Sequence, residues 1–308
     1  MLHVVHHPDY VVSQNDGGRG GAHQFSKYGA VMDVLRAGGD LTEHCPEPMP
    51  RIWLEAAHDP AYVEAVLAAR VAPAIERRIG FPVTPEVARR AQMSPGGTWL
   101  AAKLALEHGY AANAAGGSHH ALPDSGAGYC VFNDLAIAAL RLVGDGDATC
   151  ILIVDCDVHQ GDGTAVILAG RPDIATLSVH SDKNFPARKA RSTMDVALPD
   201  GTGDEAYLNA LQPALTDMID RLRPDLILYQ AGIDIHAGDK LGRLALSDAG
   251  IAARDSFVAT TARSLGIPLA SAMGGGYGDD VMAVAARHAA SMRSCAAAYL
   301  TCATPKIY

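Results

Sequence analysis

The chain has 308 residues, of which 25 are Lys or Arg and 34 are Asp or Glu, so its formal net charge is −9. Apolar residues make up 49% and charged residues 19% of the chain, a composition typical of folded proteins and unlike that of disordered ones. The acidic balance excludes the basic surplus that nucleic-acid binding draws on, so we expect no nucleic-acid partner.

The cysteines and the apolar runs bear on the compartment in which the protein works. The six cysteines form no CxxC pair, and the start MLHVVHHPDY lacks the charged and apolar regions of a signal peptide. Apolar runs are broken by Gly, Asp or Arg before they reach the roughly 18 residues of a membrane span. We therefore expect a cytoplasmic protein with free thiols and no membrane contact.

The predicted elements begin with NDGGRGGAH (15–23), which is too rich in glycine for a helix or a strand and is predicted to be a mobile loop. Further along, short apolar runs that end in Gly, His or Asp predict buried strands, and segments of helical composition lie between them. In chain order these are strand AANAAGG (111–117), helix FNDLAIAALRLV (132–143), strands CILIVDCD (150–157) and IATLSVH (174–180), helix DEAYLNALQPALTDMIDRL (204–222), strand DLILYQAG (225–232), helix SDAGIAARDSFVATTARSL (247–265) with Ser247 as its N-cap, strand PLASAMGGG (268–276) and a helix over 281–300.

This alternation of strands and helices predicts a three-layer α/β/α fold, with a parallel sheet covered by helices on both faces. No linker of biased composition and no repeat of fixed period divides the chain. We therefore expect a single domain over residues 1–308.

Chemically active residues follow the carboxyl ends of the predicted strands, where functional groups gather in parallel sheets. The segments are GGSHHA (116–121), DCDVHQGDG (155–163), SVHSDKNFP (178–186), QAGIDIHAGD (230–239) and GGGYGD (274–279). In the second of them, the alternation of an extended chain directs Asp155, Asp157 and His159 to one side. Two carboxylates so close to each other are tolerated when a cation compensates their charge, which indicates a divalent metal.

Asp157, His159 and Asp234 are the predicted metal ligands, because Asp234 follows another strand at the same edge. Two carboxylates and one imidazole leave a zinc position open for water, the pattern of a catalytic site. Iron(II) accepts the same ligands, so the set does not decide between the two metals. A second acid in that loop, Asp239, is of the type that commonly caps a helix.

His119, His120 and Tyr277 are the candidate catalytic groups beside this metal. Imidazole takes and returns protons near neutral pH, and the spare acids Asp155 and Asp162 could each orient one ring. Tyr277 follows three glycines and could donate to a developing oxyanion, for which one donor is worth about 3 kcal/mol. Three glycines also suggest a phosphate loop, but no GxxxxGK[ST] motif follows them.

Together these motifs resemble the histone deacetylase family over nearly the whole chain. HDPAYVEAVL, GGTWLAAKLAL, GGSHHA, GYCVFNDLAIAA, DCDVHQGDGTA, QAGIDIHAGDKLG and GGGYGD occur in the family's order. IGFPVTPE (79–86), the HQGDG form of the metal motif and KNFPARKARS (183–192) further resemble the class IV branch and its bacterial relatives. The resemblance implies the arginase-deacetylase fold, with a roughly eight-stranded parallel sheet.

The resemblance also implies a role for each site residue. The zinc ligands are matched by Asp157, His159 and Asp234. His120 matches the general base and is paired with Asp162, and His119 matches the neighbouring acid or electrostatic partner and is paired with Asp155. Tyr277 matches the phenol that polarises the carbonyl. Gly128, Tyr129 and Phe185 match the walls of an acyl-lysine tunnel, and Leu241 and Gly275 are expected to bind substrate beside them. A structural potassium ion is implied near Asp155, Asp157, His159, Ser178 and Val179.

Some residues depart from the family pattern or lie near the site without an expected role. Ser118 stands where many members carry an aromatic or large apolar residue, and Tyr129 stands where class I enzymes have Phe, so the acyl group preferred could differ. Arg188, Lys189 and Arg191 are expected to form a solvated charged face, and Cys130 and Cys156 to be buried, inert thiols.

The predicted activity is hydrolysis of an acyl group, foremost acetyl, from the ε-amine of lysine in a protein or peptide. The same chemistry on an acetylpolyamine, a longer acyl-lysine or a small acylated metabolite is the nearest alternative. A ureohydrolase on this fold would need a two-manganese cluster with more aspartate ligands. A catalytically silent module that binds acyl-lysine is the alternative from another class.

Overall fold

The computed structural model of the chain describes residues 1–12 and 18–301. Within them, eight strands form one parallel sheet in the order β2-β1-β3-β8-β7-β4-β5-β6. The strands are β1 (Leu2–Val5), β2 (Leu41–His44), β3 (Tyr110–Asn113), β4 (Ile151–Asp155), β5 (Ile174–Ser181), β6 (Met194–Leu198), β7 (Leu226–Gln230) and β8 (Leu269–Ala272).

Helices cover both faces of the sheet, which gives the predicted three-layer architecture. They are α1 (Gly18–Ala37), α2 (Arg51–Ala57), α3 (Pro60–Leu67), α4 (Pro73–Ile79), α5 (Pro85–His108), α6 (Asp134–Gly144), α7 (Asp162–Ile167), α8 (Asp204–Leu222), α9 (Asp248–Ser264) and α10 (Val281–Thr301), with a 3₁₀ helix over Pro8–Tyr10. One layer contains α8, α9, α10 and α1, which pack in that order, and the other contains α5 with α6, α2 and α3. No helix among the described residues has the length and apolar character required to cross a membrane.

The core lies on both sides of the central strands. Every residue of β3, β4, β5, β7 and β8 is buried, whereas β2 and β6 at the edges retain exposed positions. A strand covered on both faces is a continuous apolar run. The five predicted strands are these five, and the predicted helices correspond to α6, α8, α9 and α10. The Ser247 side chain caps α9 as expected, accepting a hydrogen bond from the Gly250 N–H.

The loop prediction for residues 15–23 was wrong in part. Residues 15–17 lie outside the described residues, but the backbone from Gly18 onward belongs to α1. Helix α1 is anchored further along by buried Phe25, Met32 and Leu35. Once a helix is nucleated, each added residue brings a hydrogen bond, so an anchored helix can extend through glycines that each cost about 1 kcal/mol.

A buried ion pair joins helix α9 to the ends of β4 and β7. The Arg254 guanidinium is fully buried and lies 2.7 Å from the Asp255 carboxylate, which also accepts a 2.6 Å hydrogen bond from the Tyr229 hydroxyl. Arg254 Nη1 also donates to the carbonyl oxygens of Cys156 and Gly232. Those two carbonyls lie in the loops that follow β4 and β7, so one side chain connects both loops.

We predict that Arg254→Met lowers the free energy of unfolding by about 3–5 kcal/mol, because it leaves the buried Asp255 carboxylate without a counter-ion. Denaturation in urea measures the change. The double substitution Arg254→Met with Asp255→Leu removes both charges and should restore most of the loss. A single substitution that costs less than about 1 kcal/mol would contradict the role assigned to this pair.

Candidate metal and catalytic site

The side chains singled out in the sequence meet at one edge of the sheet. Strands β3, β8, β7 and β4 are consecutive neighbours, so the loops at their carboxyl ends form one continuous row. His119 and His120 follow β3, Tyr277 follows β8, Asp234 follows β7, and Asp157 and His159 follow β4, of which Asp155 is the last residue. Segments far apart in the chain thereby form one site.

Asp157, His159 and Asp234 form a buried group with the spacing of metal ligands. His159 Nδ1 lies 3.0 Å from Asp157 Oδ1 and 3.2 Å from Asp234 Oδ2. Across the described residues, this is the only group in which three potential ligand atoms lie within 4.8 Å of one another. One such group favours a single metal ion over the two-manganese cluster of the ureohydrolase alternative.

The surroundings of the three residues fit a cation. Asp234 Oδ1 accepts a 2.9 Å hydrogen bond from the Val158 N–H, while its Oδ2 is buried and has no hydrogen-bond donor among the described residues. The Gly275 N–H donates to Asp157 Oδ2 at 2.7 Å. A Cβ atom at Gly275 would lie 2.0 Å from Asp234 Oδ2, so only glycine leaves this space open.

The charges of the group also fit a cation. Burial opposes a charge on His159, but its interactions with the Asp157 and Asp234 carboxylates outweigh burial and raise the pKa of His159 to about 10. Burial and the neighbouring Asp157 carboxylate raise the pKa of Asp234 to about 7. In the absence of metal, the two carboxylates therefore keep a proton on the imidazole. A divalent cation would take the place of that proton, as metal binding to such ligands requires.

His119 and His120 each have an aspartate partner, as the resemblance implies. His119 Nδ1 pairs with Asp155 Oδ2 at 2.7 Å, and His120 Nδ1 pairs with Asp162 Oδ1 at 2.7 Å. Both rings are buried, and their centroids are 4.1 Å apart. Two adjacent imidazoles are thus fixed in orientation beside the candidate metal ligands.

The environment gives these two imidazoles opposite protonation states. Burial opposes the charge of His119, but the carboxylates of Asp155 and Asp157 raise its pKa to about 9. Burial, followed by the positive charge of His119, lowers the pKa of His120 to about 3. At neutral pH, His119 is therefore protonated and His120 is neutral. Paired groups whose pKa values are driven apart are characteristic of an acid and a base in one site.

Tyr277 is held near the ligands by residues on two other elements. Asp239 Oδ2 accepts a 2.7 Å hydrogen bond from the Tyr277 N–H, and Asp239 Oδ1 accepts from the N–H groups of Leu241 and Gly242. Asp239 therefore organises this loop and does not cap a helix. Burial raises the pKa of the Tyr277 phenol well above its ordinary value, so the hydroxyl keeps its proton and can donate it in a hydrogen bond.

Two positioning contacts were not expected from the sequence. The buried Lys27 ammonium donates to the carbonyls of Gly274 at 3.3 Å and Gly276 at 3.4 Å, and lies 5.3 Å from the centroid of the Tyr277 ring. Asp134, at the start of α6, accepts from the Ser118 N–H at 2.6 Å and so holds the loop that carries the two histidines. Neither partner is near in sequence, and no local motif indicated these pairings.

A channel with aromatic side chains in its wall leads from the surface to His120 and His159. The Phe185 ring packs edge-on against the His120 ring at a centroid distance of 4.7 Å. A Cβ atom at Gly128 would lie 2.7 Å from His120 Cδ2, so the wall needs glycine there. With His159 and Tyr277, the wall residues Gly128, Tyr129, Phe185 and Leu241 line a cavity of about 460 Å³. Gly275 lies deeper, beside the carboxylates.

The remaining residues named from the sequence have varied surroundings. Cys130 and Cys156 are buried, and burial raises the pKa of both thiols, which is the expected inert state. Arg188 and Arg191 are exposed as expected. Lys189 is an exception to the predicted solvated face, because its ammonium is half-buried and donates to the carbonyls of Asn184 and Pro186. Of the cysteines, Cys302 lies outside the described residues; the five described ones form no disulfide.

The proposed potassium site remains a prediction. Ser178 pairs with Asp155 in the register of β4 and β5, and its hydroxyl lies 3.0 Å from His180 Nδ1. The register therefore places two of the expected residues, Asp155 and Ser178, side by side.

Comparison with known proteins relates most of the chain to one family. The model of the histone deacetylase domain matches residues 22–293. An uncharacterized protein of Picosynechococcus sp. is 42% identical over 290 residues, covering 92% of this chain and 95% of that protein. Histone deacetylase 2 of Arabidopsis thaliana is 33% identical over 276 residues, covering 82% of this chain and 68% of that protein.

A solved structure has the same fold. The crystal structure of the HDA15 HD domain aligns with a TM-score of 0.78 at 21% identity, covering 97% of this chain and 93% of that one. The eight-stranded parallel sheet and its two helical layers are therefore those of a histone deacetylase domain. On the domain match and on the identity to a curated relative, the chain belongs to the histone deacetylase family.

Proposed function

We propose that the protein removes the acetyl group from the ε-amine of lysine in a protein or peptide, with one Zn²⁺ held by Asp157, His159 and Asp234. Membership of the family supports deacetylase chemistry in general. The observation that carries the specific proposal is the pair of buried histidines, each held by an aspartate, adjacent to a three-ligand group at the foot of a channel.

The metal and the side chains divide the chemistry between them. Zinc, when bound, would supply Lewis acidity toward an amide carbonyl and a water molecule. Asp162 engages His120 Nδ1, which leaves Nε2 as the nitrogen that takes a proton from the attacking water. The proton then passes to the nitrogen of the departing amine. Without that proton the nitrogen would depart as an anion and would be a poor leaving group. His119, held protonated by Asp155, keeps positive charge next to the reacting carbonyl.

Tyr277 supplies the stabilisation of the developing oxyanion. Its loop is fixed by Asp239 and Lys27, so the phenol is oriented before the substrate binds. A donor that is already in place costs no reorganisation when charge develops, and such donors are worth most where water is excluded. The raised pKa keeps the proton on the phenol throughout the reaction.

The space at the foot of the channel favours a short acyl group. Between the histidines and Tyr277 lies a cavity of about 40 Å³, whose lining includes Gly116, Gly117 and Gly275. This volume accommodates a few water molecules or a methyl group, and a long acyl chain exceeds it. Acetyl is therefore favoured over the longer acyl-lysine substrates that the sequence left open. Iron(II) accepts the same ligands as zinc and remains an alternative to be decided by metal analysis.

We predict that the zinc-loaded protein hydrolyses acetyl-lysine peptides at least about tenfold faster, in kcat/KM, than the same peptides carrying octanoyl-lysine. The physical reason is the small cavity at the foot of the channel, because a methylene that does not fit there lowers kcat/KM by roughly tenfold or more. A fluorogenic peptide panel measures both rates under one condition. A faster reaction with octanoyl-lysine would contradict the acetyl assignment, and no hydrolysis of any acyl-lysine would support the silent binding module.

We predict that Tyr277→Phe lowers kcat by about 100-fold to 1000-fold with little change in KM or in the unfolding temperature, because it removes one oxyanion donor and leaves the ring in place. Tyr129→Phe is the matched control. It removes a hydroxyl from the wall of the same channel and should cost less than about tenfold, since Tyr129 has no role at the reacting carbonyl. If the kcat of Tyr277→Phe stays within about tenfold of that of the parent enzyme, Tyr277 is not the oxyanion donor.

A further inference from the structure

Basic side chains surround the mouth of the channel. The residues that line the entrance cavity include Arg77, Arg78, Lys183 and Arg243, and the described part of this lining contains no Asp or Glu. This local excess of positive charge contrasts with the formal net charge of −9 for the whole chain. The entrance therefore differs in sign from the average surface of the protein.

Three of these four cations form no ion pair among the described residues. Among the described residues, neither Arg77 nor Lys183 has an acidic partner, and Arg78 Nη1 donates to the neutral Ser125 hydroxyl at 3.0 Å. Arg243 differs, because its Nη1 lies 3.3 Å from Asp200 Oδ2. The exposed side chains of Arg77, Arg78 and Lys183 can therefore interact with the part of a substrate that lies outside the channel.

The two arginines of α4 are attached to the channel wall. The Arg78 carbonyl accepts a 3.0 Å hydrogen bond from the Gly128 N–H, and the Ile79 carbonyl accepts a 2.8 Å hydrogen bond from the Tyr129 N–H. Gly128 and Tyr129 form one wall of the channel. The end of α4, and with it the backbone of its basic residues, is therefore fixed relative to a bound acyl-lysine.

The opposite side of the mouth is attached in the same way. The buried Asn184 side chain donates to the Leu241 carbonyl at 2.7 Å and accepts from the Arg243 N–H at 3.0 Å. It thereby joins the loop that carries Lys183 and Phe185 to the loop that carries Leu241 and Arg243. Cations stand on both sides of the opening, on backbone segments that are hydrogen-bonded to the channel walls.

At physiological ionic strength, a bound substrate interacts mainly with the charges closest to it. The Debye length is about 8 Å at 0.15 M ionic strength, so distant acidic residues are largely screened while those at the mouth are not. Charges at the rim of a site mainly change association rate and salt dependence. An anionic segment next to the acylated lysine is attracted to this mouth, and a polycation such as an acetylpolyamine is repelled.

We propose that the substrate is an acyl-lysine in an acidic peptide segment, with Asp or Glu within a few residues of the lysine. This inference rests on the proposed deacetylase function. It selects among the substrates of that function: an acetylpolyamine or a lysine in a strongly basic segment carries the same sign of charge as the entrance. The acidic residues that would suit a polyamine are absent from the described lining of the mouth.

Three acetyl-lysine peptides of equal length test the proposal, with two Glu, two Gln or two Lys residues on each side of the acetylated lysine. Exposed ion pairs are individually weak, so several together should make kcat/KM about tenfold higher for the Glu peptide than for the Lys peptide at 50 mM salt. At 500 mM salt the ratio should fall to about twofold. Equal rates, or faster hydrolysis of the Lys peptide, would overturn the proposal.

Variants assign the effect to the mouth. Arg77→Gln with Lys183→Gln should reduce the Glu-to-Lys ratio at least about threefold, since it removes two cations that lack partners. Arg221→Gln is the matched control, because Arg221 lies on α8, is exposed and pairs with Asp217. It should leave the ratio unchanged. If the double variant keeps the Glu-to-Lys ratio of the parent protein, the assignment to Arg77 and Lys183 is wrong.

Two further arms separate the possible failures. Hydrolysis of any of the three peptides tests the proposed function, so its absence for all three would refute that function, and the inference with it. Free Nε-acetyl-lysine is a zwitterion with no net charge and has no flanking acids. If it is hydrolysed more efficiently than the Glu peptide, the substrate is a small acylated amine and the assignment to a peptide fails.

Discussion

Three buried carboxylates, Asp155, Asp157 and Asp234, lie at the ends of two neighbouring strands, and most of the site follows from the need to balance their charge. Imidazoles face them, backbone N–H groups donate to them, and Gly275 leaves room beside them for a cation. Arg254 connects the two supporting loops from beneath. Several buried charges held in place by hydrogen bonds are costly to assemble unless each is compensated.

The same carboxylates divide the work of the two histidines. Asp155 and Asp157 hold a proton on His119, and the resulting positive charge, together with burial, keeps His120 neutral. The proposed reaction first removes a proton from water and later delivers one to an amine. A neutral imidazole next to a protonated one suits both steps. In the proposed reaction, the channel and its basic mouth select the amide that reaches these groups.

Sequence patterns predicted the centre of this molecule better than its periphery. The five central strands are apolar throughout because both faces are covered, and the site residues follow their ends. Strands β2 and β6 are partly polar edges, and the glycine-rich start of α1 lacks a helical pattern. Contacts such as Lys27 with Gly274, 247 residues apart, or the gathering of Arg77 and Lys183 at one mouth, arise only from the folded topology.

The central claim is that the buried group of Asp157, His159 and Asp234 binds one catalytic zinc ion. Anomalous diffraction at the zinc absorption edge, from crystals of the zinc-reconstituted protein, tests it most directly. The account predicts one strong peak per chain, within bonding distance of an oxygen of each aspartate and of His159 Nδ1, the atom that already faces both carboxylates. Two metal peaks in the site, or zinc bound elsewhere while this group stays empty, would contradict it.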